Sequence, residues 1–278
     1  MELTADAIGR VAELALAEDV GDGDVTTEAI VPEDLRCRAQ LLLEEPGVVC
    51  GVHAAAAVFR ALDPDVRVDV LVEDRTAVTA PPAVLAEIEG PARAVLTAER
   101  TALNLLARLC GVATLTRRFV DLVDGTGATV LDTRKTTPGL RALEKYAVRC
   151  GGGSNHRAGL YDAVLVKENH LRVAGGIGPA VALVRERAEG FPVEIEAETL
   201  DQVGEALDAG VERILLDNMT PEEVGRAVAL VGGRAELEAS GGISPATVRA
   251  YAETGVDFIS VGALTHGARS LHVSLEVL

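Results

Sequence analysis

Short apolar runs recur along the second half of the chain, and most of them end in a polar residue. Six such runs are TVLDTRK (129–135), AVLVKEN (163–169), VEIEAE (193–198), RILLDN (213–218), AELEASGG (235–242) and DFISVGA (257–263). After the first gap they follow one another at intervals of about 20–30 residues, with helix-like segments between them. This spacing is typical of repeated βα units. It predicts an incomplete (β/α) barrel with six or seven parallel strands rather than an open sheet.

The first hundred residues show a different order of elements. Helical apolar spacing occurs at 5–17 and 53–62, and strand-like patterns occur at 36–44, 66–73 and 84–90. Strands that alternate between apolar and polar residues are half buried, with one face covered. The order therefore predicts an α/β layer in which helices cover an antiparallel sheet.

A long helical pattern at 97–123 joins these two regions, and Gly111 within it either breaks the helix or allows close packing. Near the end of the chain, SLHVSLEVL alternates like a strand. The prediction is two domains, with the active site in the second and the last strand returning to the first. Their ranges are 1–110 together with 268–278 for the first domain, and 111–267 for the barrel.

Composition excludes several classes of protein. The chain carries 26 basic and 43 acidic residues, a net charge of −17, whereas general nucleic-acid binding needs a broad basic face. No apolar run approaches the roughly 20 residues that span a bilayer. The four cysteines show no metal-ligand spacing, so we expect buried free thiols in a reducing cytoplasm. The sequence thus predicts a soluble cytoplasmic protein.

Positive charge is concentrated in one segment of this acidic chain. Residues 134–170 hold seven basic and three acidic residues, including all three lysines, Lys135, Lys145 and Lys167. A cleft lined by one sign of charge attracts small ligands of the opposite sign. We therefore expect an anion site in this segment. Lys145 and Arg141 are expected on the exposed face of a helix, outside that site.

The residues at the carboxyl ends of the predicted strands indicate what this anion is, because these ends form the active site of a barrel. In chain order they are Arg134 and Lys135, Lys167, Glu196, Asp217, Ser240 with Gly241 and Gly242, and Gly262. Glycine-rich turns after the last two strands favour a phosphate site, although they could be plain tight turns. The acidic pair could bind sugar hydroxyls or Mg²⁺, act as acid and base, or neutralise the lysines.

The loop at 151–157 is rich in glycine and ends in His156 and Arg157. Together with Arg134, Lys135 and Lys167, these two side chains exceed what one phosphate requires, so a polyanionic ligand is expected. For His156 alone, a structural hydrogen bond is the simpler interpretation, and His170 could support the site indirectly. Three hypotheses remain: a transferase for a phosphorylated sugar and a carboxylated acceptor, an aldolase with a Schiff base at Lys167, and a phosphometabolite-binding module.

Several segments resemble the quinolinate phosphoribosyltransferase family. They are EDVGDGDVTT (18–27), ERTALNLLARLCGVAT (99–114), LDTRKTTPGLRALEKYAVRCGGGSNHR (131–157), LYDAVLVKENH (160–170), LLDNM (215–219), LEASGGI (237–243) and ISVGALTH (259–266). They span nearly the whole chain, and the segment 131–157 is the most specific. Glu168 departs from the family, which more often has aspartate there, but it keeps the charge.

The resemblance implies an N-terminal α/β open-faced sandwich beside an incomplete barrel. It also implies a homodimer whose active site is shared between subunits, with a hexamer left open. Enzymes of this family transfer phosphoribose from 5-phosphoribosyl-1-pyrophosphate to quinolinate, with Mg²⁺ as the cofactor. Loss of CO₂ then gives nicotinate mononucleotide for NAD biosynthesis. The alternative is a paralogue for another heteroaromatic acid.

The resemblance also implies roles for individual residues. Quinolinate carboxylates would be held by Arg134, His156 and Arg157, with Lys135 close by and Arg100 reaching across from the partner subunit. Lys167 would face the pyrophosphate and the quinolinate, while Glu196 and Asp217 would bind ribose hydroxyls and Mg²⁺. The 5-phosphate would be held by Ser240, Gly241, Gly242 and Gly262.

Overall fold

A computed structural model describes residues 3–278 of the chain. Contacts divide these residues into two compact units. The first comprises the chain up to Arg117 together with Thr136–Gly152 and Leu264–Leu278, and the second comprises Arg118–Lys135 and Gly153–Ala263. Because contact density alone does not define an independently folding domain, the ranges 1–110 and 111–267 stay a prediction.

Helices and strands are interspersed along the described residues. The helices are α1 (Ala5–Val20), α2 (Val25–Ile30), α3 (Val52–Leu62), α4 (Ala92–Val123), α5 (Arg141–Cys150), α6 (Glu168–Ala174), α7 (Ile177–Arg187), α8 (Leu200–Asp208), α9 (Pro221–Val231), α10 (Val248–Ala252) and α11 (Ala263–His266). The strands are β1 (Arg36–Leu43), β2 (Gly47–Val48), β3 (Arg67–Val70), β4 (Ala77–Val78), β5 (Ala83–Pro91), β6 (Thr129–Leu131), β7 (Val164–Val166), β8 (Val193–Ala197), β9 (Arg213–Asp217), β10 (Glu236–Ser240), β11 (Phe258–Ser260) and β12 (Val273–Val277). No helix among these residues is both long and apolar enough to cross a membrane.

The first unit is built on a four-stranded antiparallel sheet in the order β12-β1-β5-β3. The C-terminal strand β12 pairs with β1, with Val277 opposite Ala39 and Val273 opposite Leu43. Helix α3 is rich in alanine and buries Phe59, and it packs against α1. The expected α/β open-faced sandwich is therefore confirmed.

Helix α4 runs through Gly111 without a break, although Gly111 could have ended it. A Cβ atom at this position would collide with the carbonyl oxygen of Arg269. Since any side chain would push this backbone away, glycine serves here to allow close approach. Close packing is thus the correct one of the two interpretations of Gly111.

A six-stranded parallel sheet forms the second unit, in the order β6-β11-β10-β9-β8-β7. Within the described residues no ladder joins β6 to β7. Instead Ser154 forms a single parallel bridge with Leu131 of β6. Ser240 lies in register with Asp217 on one side and Ser260 on the other, so the strand ends meet at one edge. The expected incomplete barrel is confirmed, with six strands.

The surface position expected for Lys145 is wrong. Lys145 lies on α5 and is fully buried, as is its neighbour Glu144. Glu144 accepts hydrogen bonds from the Nε and Nη2 atoms of Arg108, at 3.0 and 2.8 Å. Buried charges need such partners. Helix α5 also buries Leu143, Ala147 and Val148, but this apolar pattern does not show that Glu144 and Lys145 are buried beside them.

The four cysteines are free thiols, but their burial differs from the expectation for one of them. Cys50, Cys110 and Cys150 are buried, whereas Cys37 on β1 is only half buried. The Sγ atoms of Cys50 and Cys150 and a carboxylate oxygen of Asp74 lie within 4.8 Å of one another. These residues are far apart in the sequence, so their spacing did not predict this cluster. Asp74 has a structural task there, because its Oδ1 accepts hydrogen bonds from the first backbone N–H groups of α3.

Candidate active site

A cavity of about 550 Å³ opens within the second unit. Each of the six barrel strands contributes lining residues to this cavity, either from the strand itself or from the loop that follows the strand. The lining residues are Thr133, Arg134, Lys135, His156, Arg157, Leu165, Lys167, Glu196, Leu215, Asp217, Asn218, Glu238, Ser240, Gly241, Gly242 and Ser260. Most of the residues predicted from the strand ends thus line one space, as the parallel register requires.

Two arginines give this cavity its basic side. Burial lowers the pKa of the Arg157 guanidinium below its usual range, and the charge of Arg134 acts in the same direction. The Nη1 atom of Arg157 donates to the carbonyl oxygen of Ala163 at 3.3 Å. Two neighbouring guanidinium groups repel each other, and a bound anion would relieve that repulsion. Their planar donors suit carboxylates in particular.

Opposite charges meet at the ends of β7, β8 and β9. Lys167 Nζ lies 3.3 Å from Glu196 Oε2, and the Lys167 side chain is half exposed. Burial raises the pKa of Asp217, and the nearby charge of Glu196 raises it further. Two carboxylates that repel each other in a partly buried place are stabilised by a cation. Their oxygen atoms are ligands that Mg²⁺ prefers, so the pair fits this ion.

The end of β10 is shaped for an oxyanion. Gly241 and Gly242 follow Ser240 with φ angles of 98° and 62°, values that favour glycine. A Cβ atom on Gly241 would lie 2.8 Å from Cγ of Asn218, which leaves no room for a side chain. A backbone without side chains at this turn can approach a phosphate closely. The geometry is therefore compatible with the phosphate interpretation.

His156 is held from several directions. Its Nε2 lies 3.1 Å from Glu194 Oε2 and 3.5 Å from Glu238 Oε2. Its Nδ1 accepts a hydrogen bond from the backbone N–H of Arg157 at 2.7 Å. The carboxylate of Asp132, at the end of β6, accepts from the backbone N–H of His156 at 3.0 Å. These bonds fix the loop that carries both His156 and Arg157.

Glu238 is fully inaccessible to solvent. Ser260 Oγ donates to its Oε1 at 2.5 Å, and Arg213 Nη1 lies 3.6 Å from its Oε2. Burial raises the pKa of Glu238 to about 7, and the charge of Glu194 adds to the effect. Near neutral pH this carboxyl group therefore carries a proton for part of the time.

Two family models match this chain in succession. The N-terminal domain of quinolinate phosphoribosyl transferase matches residues 24–110, and its C-terminal domain matches residues 112–276. The chain belongs to the quinolinate phosphoribosyltransferase family. The resemblance that was inferred from the sequence motifs, above all from 131–157, is thereby confirmed, and it extends over both parts of the chain.

Relatives of this quinolinate phosphoribosyltransferase family member are similar over nearly their full lengths. The "Probable nicotinate-nucleotide pyrophosphorylase" of Bacillus subtilis (strain 168), described as carboxylating, is 42% identical and covers 94% of this chain and 90% of its own. A decarboxylating quinolinate phosphoribosyltransferase of Nicotiana tabacum is 40% identical, over 96% of this chain and 81% of that protein. The structure of the nicotinate-nucleotide pyrophosphorylase from Francisella tularensis has a TM-score of 0.95 at 41% identity, covering 100% of this chain and 98% of that one.

Three residues named from the sequence do not line the cavity. Arg100 lies exposed on α4, in the first unit. Gly262 follows β11 but is not among the lining residues. His170 has a local task, because its Nδ1 accepts from the backbone N–H of Lys167 at 2.9 Å and so caps α6. The functional roles of Arg100 and Gly262 in this family member stay predictions.

The sequence did not single out Glu194, Glu238, Ser260 or Asn218. A signal for two of them was present, since Glu194 and Glu196 alternate on β8, and Glu238 and Ser240 alternate on β10. Alternate residues of a strand share one face, so acids at these positions face the same side as the predicted site residues. Their burial in a parallel sheet indicates a polar barrel interior, which apolar patterning does not anticipate.

Glu238→Gln should change how stability depends on pH. The folded-state pKa of about 7 exceeds the ordinary value of 4.5, so the folded state binds more protons between these pH values. The free energy of unfolding of the wild type therefore falls as pH rises through this window. In the variant this fall should be smaller by roughly 1–3 kcal/mol. Urea midpoints from circular dichroism at pH 5 to 8 measure it.

Glu236→Gln is the matched control, because Glu236 lies on the same strand, is exposed and also pairs with Arg213. It should keep the wild-type pH dependence. Equal pH slopes in wild type and Glu238→Gln would show that Glu238 is not protonated in the folded protein.

Proposed function

We propose that the chain is a carboxylating nicotinate-nucleotide pyrophosphorylase. It transfers phosphoribose from 5-phosphoribosyl-1-pyrophosphate to quinolinate and releases pyrophosphate and CO₂, giving nicotinate mononucleotide for NAD biosynthesis. The observation that carries this proposal is the single cavity that combines paired arginines, a lysine with two carboxylates and a glycine-rich strand end. Family membership along both halves of the chain supports it.

The acceptor binds at the basic side of the cavity. Arg134 and Arg157 each offer planar donors to one carboxylate of quinolinate, with His156 and Lys135 beside them. Burial, and after it the charge of Arg134, lowers the pKa of Arg157 in the free protein, and the negative charge of the bound dianion would offset the repulsion between the two arginines. The ring nitrogen is then held in place for attack on the ribose, and positioning supplies much of the rate enhancement.

The donor binds at the other side. Backbone N–H groups of Ser240, Gly241 and Gly242 hold the 5-phosphate, and Gly262 contributes from the next strand end. Glu196 and Asp217 hold the ribose hydroxyls and stabilise the positive charge that develops at C1. Lys167 faces the pyrophosphate. Its Nζ lies 3.3 Å from Oε2 of Glu196, so it is close to the ribose as well.

The reaction proceeds in two chemical stages. The bond from ribose C1 to the pyrophosphate oxygen breaks with its electrons on oxygen, and a bond from C1 to the ring nitrogen forms. The nitrogen is then cationic and accepts electron density as the 2-carboxylate leaves as CO₂, and a proton from water replaces it at C2. Glu196 and Asp217 would also hold Mg²⁺, which when bound neutralises charge on the leaving pyrophosphate.

A Schiff-base mechanism at Lys167 is not favoured. Such a lysine must lose its proton, which requires an apolar pocket or nearby cations. Lys167 instead lies half exposed, with its Nζ 3.3 Å from a carboxylate oxygen of Glu196, and these are not the surroundings of an apolar pocket.

The assembly belongs to the same proposal. The enzyme is a cytoplasmic homodimer, with a hexamer as a further assembly, and each active site receives Arg100 from the partner subunit. The exposed position of Arg100 on α4 supports this role, since it is available to another chain. The free state of all four cysteines is typical of a reducing compartment.

Turnover tests the proposed function directly. Purified protein with quinolinate, 5-phosphoribosyl-1-pyrophosphate and Mg²⁺ should release CO₂ and pyrophosphate in equal amounts. Nicotinate in place of quinolinate is the control and should give no product. Turnover of nicotinate alone would show that the acceptor is wrong.

Arg134→Ala should weaken quinolinate binding, because one charged hydrogen-bonding partner is lost. A loss of about 1.5–3 kcal/mol corresponds to a KM for quinolinate raised roughly 10- to 150-fold. Steady-state kinetics with each substrate varied in turn measure it. Arg185→Ala on α7, an exposed arginine bonded only to a backbone carbonyl, is the control. An unchanged KM for quinolinate in Arg134→Ala would refute the carboxylate assignment.

Subunit mixing tests the shared site. Arg100→Ala and Lys167→Ala should each be inactive alone, whereas their heterodimer has one intact site. Random mixing of equal amounts makes half of the dimers heterodimers, so about one quarter of wild-type activity should return. Denaturation and refolding of the two variants together, followed by the CO₂ assay, measures the recovery. No recovery would mean that Arg100 acts within its own subunit.

A further inference from the structure

Asn218 occupies a strained turn at the mouth of the cavity. It lies between the last residue of β9 and the start of α9, with a φ angle of 57°. Outside glycine, this left-handed conformation is unfavourable, and asparagine tolerates it better than most residues. Strain of this kind persists only where the surrounding structure enforces it, and it is concentrated at functional sites.

The surrounding bonds do enforce this conformation. The backbone N–H of Asn218 donates to the carbonyl oxygen of Ser240 at 2.9 Å. The next carbonyl, that of Met219, accepts a hydrogen bond from the Tyr251 hydroxyl at 3.0 Å. Thr220 then caps α9. Asn218 is therefore fixed on both sides by neighbouring elements of the barrel.

The side chain of Asn218 contacts the two parts of the donor region at once. Its Nδ2 donates to Oδ2 of Asp217 at 2.7 Å, which limits how that carboxylate can turn. Its amide also lies against Gly241, where a Cβ atom would approach Cγ of Asn218 to 2.8 Å. One amide group thus lies between the acid that faces the ribose and the turn that faces the phosphate.

We propose that Asn218 is a positioning residue for the phosphorylated-ribose donor. Its amide orients Asp217 and holds the Gly241 turn, so that the distance between the site for the ribose hydroxyls and the site for the 5-phosphate stays fixed. This inference rests on the proposed function. It concerns the ribose 5-phosphate part of the donor and leaves the acceptor side unaffected, because Arg134 and Arg157 belong to other strand ends.

Three substitutions separate the effects. Asn218→Asp keeps the shape but replaces the donor with a third carboxylate beside Glu196 and Asp217. Asn218→Gly keeps the left-handed backbone and removes the amide. Asn218→Ala also removes the amide but keeps the Cβ in the left-handed conformation, so the difference in thermal stability between Asn218→Ala and Asn218→Gly reports the strain.

The expected result is a change confined to the donor. Asn218→Asp should raise the KM for 5-phosphoribosyl-1-pyrophosphate about tenfold or more, and Asn218→Gly should raise it by less. The KM for quinolinate should stay within about twofold in both, in contrast to Arg134→Ala. Calorimetric titration with ribose 5-phosphate, without metal, should show the same order of weakening.

Other outcomes overturn the inference. An unchanged affinity for ribose 5-phosphate in Asn218→Asp would show that the amide does not position the donor. An equal rise in both KM values, with native thermal stability, would mean that the residue shapes the cavity as a whole. If wild-type protein did not turn over quinolinate, the proposed function would fail, while the ribose 5-phosphate titration would still test Asn218.

Discussion

The parallel register of the six strands is the constraint on which the site depends. Asp217, Ser240 and Ser260 lie side by side because their strands run in one direction and end at one edge. Residues more than 40 positions apart in the chain are thereby brought together without any loop having to reach across the sheet. The first unit contains an antiparallel sheet and offers no comparable convergence of strand ends.

The electrostatic balance of the cavity follows from this convergence. The two arginines come from the first part of the barrel, whereas Glu196 and Asp217 come from its middle. The two arginines are thus separated from the two acids along this edge, whereas Lys167 lies beside Glu196. Deeper in the barrel, Glu194 and Glu238 beside His156 place negative charge under the basic side. The partial protonation of Glu238 limits that charge near neutral pH.

Much of the barrel could be predicted because short segments that contain apolar residues recur at a regular spacing. Arg134, Lys167, Glu196 and Asp217 were found because their position follows from the strand ends. Glu238 and Asn218 were missed for different physical reasons. Glu238 lies inside a strand, where patterning predicts apolar residues, and Asn218 matters through a backbone conformation that no composition reveals. Lys145 was misplaced because burial of a charge depends on partners that are distant in the chain.

The missing ladder between β6 and β7 has a consequence for how such enzymes can diversify. The loop that carries His156 and Arg157 begins at this seam, where Ser154 forms a bridge to Leu131 and the backbone N–H of His156 donates to Asp132. Residues can be exchanged or inserted there with little loss of sheet hydrogen bonds, while β8 to β11 form an unbroken set beneath the acids and the glycine turn. If the acceptor binds at this seam as proposed, a duplicated copy of this chain could change its aromatic acid there while the proposed sugar-phosphate residues stay on the continuous part of the sheet.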